Sequence, residues 1–254
     1  MSVKTARPLK ILVLDIGGTH IKFAASDHED LCKYPSGPQM TAAEMVDRLL
    51  KLTRDWRYDV VSIGYPGVVR GGAPAREPHN LGAGWVGFDF AAAFRRPVRI
   101  LNDAAMQALG DYAGGKMLFL GLGTGLGSAL VVDGIAVPME LGHLPRCKGR
   151  NYESYLGNQG RKRLGNKKWR AEVLQVANDF RNALLPDEIV LGGGNAHRLK
   201  QLPPHTRLGE ELAAIRGGLC LWETPGRKSE GVGSAPSPRS AVARKPRRPR
   251  RRTV

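Results

Sequence analysis

Short apolar runs alternate along this chain with stretches in which apolar side chains return every three or four positions, the signature of strands interleaved with helices. Lys10 to Leu14 and Ile21 to Ala25 read as strands, with Gly17-Gly18 turning the chain between them. Thr41-Ala42-Ala43-Glu44 is a capping box, and Met45, Leu49 and Leu52 follow it at helical spacing. Val60 to Gly64 is a further strand, and Arg99 to Leu101 another, which delivers Asn102 and Asp103 to the start of a helix over Ala104 to Tyr112. Met117 to Gly121 and Ser128 to Val132 form a second hairpin, an echo of the first that points to internal duplication. Lys168 to Leu185 reads as a long helix whose Val173, Ala177, Phe180 and Leu184 make a core-facing stripe, and Glu188 to Leu191 as the strand after it. The predicted class is α/β.

Composition adds boundaries to this picture. The chain has 254 residues with 42% hydrophobic and 24% charged content, which suits a globular protein with a substantial core. The longest apolar candidate, Met117 to Val132, is too short and too glycine-rich to span a bilayer. Lys4, Arg7 and Lys10 are followed by a short run ending at Asp15, which does not resemble a signal peptide, so a cytoplasmic protein is expected. Cys32, Cys147 and Cys220 are few, odd in number and far apart, which argues for reduced thiols. Of the net charge of +16, half comes from Glu223 to Val254, where ten Lys or Arg face two acids, and that arginine-proline tail is expected to be disordered. The expected organisation is an N-terminal lobe over 1–101, a C-terminal lobe over 102–222 and the tail over 223–254.

Three glycine clusters then suggest chemistry: Asp15-Ile16-Gly17-Gly18-Thr19, Gly121 to Gly127, and Leu191-Gly192-Gly193-Gly194, each after a β-rich run. Glycine lets backbone N–H groups approach phosphate oxygens without a Cβ clash, although a single cluster is usually an ordinary turn. Phosphoryl transfer needs such positioning, charge neutralisation, and a base for the attacking hydroxyl. Asp103 is the candidate base, expected to be ionised at neutral pH because it opens a helix; its plainer role would be an N-cap. Neither GxxxxGK[ST] nor a GxGxxG with a following acid occurs, which argues against a P-loop NTPase and a Rossmann dehydrogenase.

The ordered set Asp15 to Lys22, Gly64-Tyr65-Pro66-Gly67, Asn102-Asp103-Ala104, Gly121 to Gly127, Glu140-Leu141-Gly142-His143 and Leu191 to Gly194 resembles the ROK sugar kinases over Ile11 to about Trp222. Within that family it is most similar to the polyphosphate glucokinases, through Glu140 to Pro145, Tyr152 to Gly157, Lys167 to Arg170 and Leu191 to Ala196. The resemblance implies an actin-like, ribonuclease H-like fold of two lobes around a cleft, and transfer of a phosphoryl group from polyphosphate or ATP to the 6-hydroxyl of glucose. It implies that Asp103 is the base and that Asn80, Asn102, Glu140, His143 and Glu153 bind sugar hydroxyls. Donor phosphates would lie between Gly17, Gly18, Thr19 and Thr124, Gly125, with Lys22 a further phosphate contact and Gly192, Gly193 and Gly194 near the adenosine end of ATP. Asp15 would hold magnesium, through water. A homodimer is also implied.

Two departures from the family pattern matter. Many ROK proteins carry a three-cysteine zinc site between the histidine and the next sugar-binding glutamate; here only Cys147 lies between His143 and Glu153, so no zinc is expected. The tail beyond Trp222 has no counterpart, and it raises the alternative of a sugar-responsive regulator that binds nucleic acid. Only about ten residues precede the first strand, too few for the helix-turn-helix domain of such regulators. A kinase for another hexose or an acylated amino sugar is the other alternative. Arg161-Lys162-Arg163, Lys167, Lys168 and Arg170 are candidates for a basic track along a long phosphate chain.

Overall fold

The computed structural model describes residues 7–28 and 30–223. The first hairpin forms from β1 (Ile11–Ile16) and β2 (His20–Ala25), followed by β3 (Cys32–Pro35), α1 (Ala42–Leu52) and β4 (Val60–Tyr65). A small hairpin, β5 (Val69–Arg70) with β6 (Ala73–Pro74), and the short α2 (Phe90–Phe94) lead to β7 (Val98–Asn102) and α3 (Asp103–Asp111). The chain continues through β8 (Lys116–Leu122), β9 (Leu126–Val132) and β10 (Ile135–Met139) to a hairpin of β11 (Pro145–Cys147) and β12 (Arg150–Asn151). Then come α4 (Glu153–Leu156), α5 (Asn158–Leu184), β13 (Glu188–Gly192), β14 (Thr206–Leu208) and α6 (Ala213–Cys220).

The strands make two five-stranded sheets with the orders β3-β2-β1-β4-β7 and β10-β9-β8-β13-β14. In each, the first three strands form an antiparallel meander and the last two join the first in parallel. The same topology therefore occurs twice, which is the duplication the two glycine hairpins hint at. It is the actin-like arrangement of two ribonuclease H-like sheets. Each sheet has its own core: Leu12, Leu14, Ile63, Tyr65 and Trp85 around the first, and Leu118, Leu120, Trp169, Val173 and Phe180 around the second.

Local sequence explains several elements directly. Thr41 accepts from the Glu44 amide, and Glu44 returns the bond to the Thr41 amide, so both halves of the capping box form. α1 buries Met45 and Leu49 but leaves Leu52 half exposed, because the helix ends there at Thr53. α5 begins ten residues before the predicted Lys168 and is interrupted at Gly165, whose φ of 71° suits glycine. Beyond the break, Val173, Ala177 and Phe180 are buried as the stripe requires, and the Trp169 indole donates to the Leu156 carbonyl at 2.8 Å.

α6 is not among the elements predicted above, and it carries Gly217 and Gly218 in its interior. The glycines serve contact. A Cβ at Gly110 of α3 would overlap the Ala213 carbonyl, and one at Gly217 would overlap the carbonyl of Met106, so the two helix backbones touch directly. Gly218 leaves room for Val13 of β1. α6 thereby returns to the first sheet and closes a cluster of Ile11, Val13, Val60, Met106 and Ala214. Trp222 locks it by donating to the Ser62 hydroxyl at 2.9 Å.

Candidate active site

Three parallel strands of the first sheet, β1, β4 and β7, end side by side, with Asp15 beside Gly64 and Tyr65 beside Asn102. Carboxyl ends of parallel strands are where α/β sheets present ligand-binding groups. Asp15 is buried at the end of β1, and Asp103 follows β7 as the first residue of α3. Gly64 lies between them. A side chain there would run into Met106 and approach the Asp103 Cα at 3.5 Å, so its lack of one lets α3 start close to the sheet.

Asn102, rather than Asp103, caps α3: its Oδ1 accepts from the Ala105 amide at 3.1 Å, while its Nδ2 donates to the Gly67 carbonyl at 3.2 Å. The Asp103 carboxylate keeps one local bond, accepting from the Ala104 amide at 2.8 Å. Burial, with the neighbouring Asp15 and then Glu140 carboxylates, pushes Asp103 up to about 7 from its ordinary value of 3.8. This corrects the expectation that the helix start keeps Asp103 fully ionised at neutral pH. Desolvation and a second carboxylate outweigh the helix dipole. Burial likewise raises Asp15, against an opposing pull from Lys22, its cross-strand partner in β2.

The sugar-binding candidates come from both halves of the chain, Asn80 and Asn102 from the first and Glu140, His143 and Glu153 from the second. Glu140 joins Asn102, Gly67 and Arg70 around a cavity of about 200 Å³. Its Oε2 lies 3.5 Å from Nδ1 of His143, which faces a second cavity of about 390 Å³ shared with Arg146, Cys147, Arg150 and Asn151. Glu153 opens α4, and its Oε2 accepts from the Leu126 amide at 3.2 Å against Gly125 of the second glycine loop. Asn80 packs on the first glycine loop: a Cβ at Gly18 would come within 2.6 Å of the Asn80 Cβ.

The glycine loops divide by what their glycines do. In the β1–β2 turn the Gly17 amide donates to the His20 carbonyl at 3.0 Å, so its contribution there is conformational, while Thr19 is exposed. In the β8–β9 turn, Thr124 is exposed and the loop is tied down from behind. The Asn158 amide donates to the carbonyls of Gly123 and Thr124 at 3.1 Å each. The Asn195 side chain donates to the Gly123 carbonyl at 3.3 Å and to Asn158 at 2.9 Å. In the third loop, Gly192 is pressed against the Phe119 ring and Gly193, at φ 78°, against the backbone of Leu122, whereas Gly194 is open. Asn158 and Asn195 were not singled out from the sequence; the available signal was an asparagine directly after a glycine at the edge of each segment.

A model of the ROK family matches residues 11–146. The chain belongs to the ROK family. Among its relatives is a protein named polyphosphate glucokinase from Mycobacterium tuberculosis, 29% identical over 219 residues that cover 75% of this chain and 80% of the relative. Of solved structures, an inorganic polyphosphate/ATP-glucomannokinase from Arthrobacter sp. strain KM superposes with a TM-score of 0.73 at 24% identity, over 84% of this chain and 98% of that one. A ROK family glucokinase from Streptomyces griseus, solved with glucose and AMPPNP, superposes with a TM-score of 0.65 at 17% identity, over 84% and 98%. These likenesses give the ROK chain its actin-like fold independently of the strand order. Among the described residues no helix is long and apolar enough to cross a membrane, and no group of three or more His, Cys, Asp or Glu is arranged to hold a metal.

Proposed function

We propose that this ROK protein is a glucose kinase that moves a terminal phosphoryl group from polyphosphate, ATP or both onto the 6-hydroxyl of glucose. One observation carries the reading: a carboxylate poised at about 7, Asp103, sits at the carboxyl edge of the first sheet within electrostatic reach of Asp15 and Glu140. A base with a value near the working pH combines a usable fraction of the ionised form with proton affinity. The relatives named polyphosphate glucokinase support both the acceptor and the donor class.

In this reading Glu140, His143, Asn102, Asn80 and Glu153 hold the sugar by directional hydrogen bonds, which penalise an analogue lacking a hydroxyl. Asn102 is itself fixed by its cap bond and by Gly67, so the amide arrives pre-oriented. Ionised Asp103 accepts the proton of the attacking hydroxyl. The exposed turns at Gly18-Thr19 and Thr124-Gly125 face the donor phosphates, and Lys22 offsets their charge beside Asp15. Magnesium fits here: Asp15 is a buried carboxylate with hard oxygen donors, next to a second carboxylate and a phosphate-facing turn. When bound, magnesium would neutralise charge on the donor's phosphate oxygens.

The deciding experiment incubates the purified protein with glucose, magnesium and either ATP or polyphosphate, and measures glucose 6-phosphate. Formation with either donor supports the proposal and identifies the donor. No glucose 6-phosphate with either, alongside turnover of another hexose or an acylated amino sugar, would move the assignment to that sugar.

A further inference from the structure

We propose that Arg146 is a positioning residue that holds His143 and Glu153 in register for the sugar, by bolting the β11–β12 hairpin onto α5. The proposal deepens the reading of those two residues as sugar ligands and rests on it. His143 precedes the hairpin and Glu153 follows it. The Tyr152 amide donates to the Leu144 carbonyl at 3.1 Å, which brings the immediate neighbours of both residues together at the hairpin base. The spacing of His143 and Glu153 is therefore set by the hairpin and by whatever fixes it to the body.

Arg146 supplies that fixing. Its side chain is only 15% exposed, and its guanidinium lies 2.6 Å from Oε2 of Glu172 and 3.6 Å from Oδ2 of Asp179. Those acids are seven positions apart on α5, two turns along one face, so a single guanidinium fork bridges them. The same group lies 5.2 Å from the ring centroid of Tyr152 and 5.5 Å from that of Tyr155. Tyr152 packs in turn on Phe180 of α5 in a tilted pair, with centroids 4.9 Å apart, and Tyr155 Oη meets Cys147 Sγ at 3.1 Å. Every polar or aromatic tie from Arg146 thus runs either to α5 or to the segment that carries Glu153. Lysine cannot reproduce this, because a point charge lacks the fork that spans two carboxylates beside two rings.

The consequence falls on sugar binding and leaves proton transfer alone, since Asp103 and Asp15 belong to the other sheet. Loosening the hairpin by even an ångström spoils a hydrogen-bond pair that must meet fixed hydroxyls. Arg146→Met is expected to raise KM for glucose roughly tenfold to a hundredfold with kcat within about threefold and KM for the donor unchanged. Arg146→Lys is expected to fall between Arg146→Met and the wild type. Glu172→Gln should reproduce much of the effect, and adding it to Arg146→Met should cost little more, as expected for partners in one interaction. Hydrogen exchange supplies a readout independent of turnover: the amides from Leu144 to Glu153 should exchange faster in Arg146→Met, with α3 unchanged.

A glucose KM within twofold of wild type in Arg146→Met, or an equal loss in kcat and in glucose and donor KM, would overturn the role. If Arg146→Met does not fold, Glu172→Gln decides by the same two readouts. Unchanged hairpin exchange refutes the anchoring whatever the substrate proves to be. Faster exchange in a protein whose wild type phosphorylates no glucose would refute the sugar assignment alone.

Discussion

Asp103→Asn should make this protein more stable and almost inactive, and the stability gain should depend on pH. The substitution keeps the shape and leaves an oxygen to accept from the Ala104 amide, while it removes a charge that burial and two neighbouring carboxylates oppose. From the ordinary 3.8 to about 7 the folded state gains proton affinity over roughly three pH decades, each worth about 1.4 kcal/mol, which bounds the cost of ionising Asp103 at about 4 kcal/mol. Asp103 is partly reached by solvent, so the working figure is about 1–3 kcal/mol. The sign follows from the folded state holding the proton more tightly than the unfolded chain. The cost is absent below about pH 4, grows as pH rises towards 7, and is constant above. Urea unfolding followed by tryptophan fluorescence, with EDTA present, should place the variant about 1–3 kcal/mol above wild type at pH 8 and show most of that gain gone at pH 4.5. Turnover should fall by several orders of magnitude while glucose still binds. In the wild type, kcat/KM should climb between pH 6 and 8 as Asp103 ionises. Equal midpoints at pH 8, or the same gain at both pH values, would refute the account of the buried charge. Near-normal turnover would remove Asp103 as the base.

Other substitutions test the scaffold and the donor. Gly217→Ala should destabilise by about 3 kcal/mol or more, or prevent folding, because its methyl would have to displace the Met106 carbonyl; a stability within 1 kcal/mol of wild type by urea titration would mean that the α3–α6 contact yields easily. Thr41→Ala should cost about 1 kcal/mol through loss of the cap, read by the same titration, and no loss would show that α1 is held by packing alone. If Lys162, Lys167 and Lys168, all exposed, form a track for a long phosphate chain, polyphosphate-driven activity should fall more steeply with added salt than ATP-driven activity. Arg163 and Arg170 are already bonded to the carbonyls of Ser154 and Arg198, so neutralising them should alter the salt slope less than neutralising the lysines; equal slopes for both donors would dismiss the track.

What the sequence revealed was whatever is encoded locally. Thr41 and Glu44 lie three residues apart and meet as their types dictate, and the two glycine hairpins turn where alternating apolar runs are cut by Gly-Gly or Gly-x-Gly. The ionisation of Asp103 was not legible, because it depends on Asp15, which is distant in sequence, and on burial that only the assembled sheet produces. α6 was hidden for a related reason: glycine lowers helix propensity, and here that loss is offset by backbone packing against α3. That Gly192 and Gly193 also lie against Phe119 and Leu122 became evident only once β13 lay beside β8. The ties of Arg146 depend on α5 bringing two acids to it, which no local pattern encodes.

The return of α6 to the first sheet affects how the polypeptide is made. Ile11, Val13 and Val60 share one apolar cluster with Ala214, Ile215 and Leu219, which follow them in synthesis by about 150 to 200 residues. That flank of the first sheet must therefore wait, sticky on one side, until α6 has been made. Nascent chains halted shortly before Ala213 should recruit chaperones or clump, whereas those released a dozen residues further on should not.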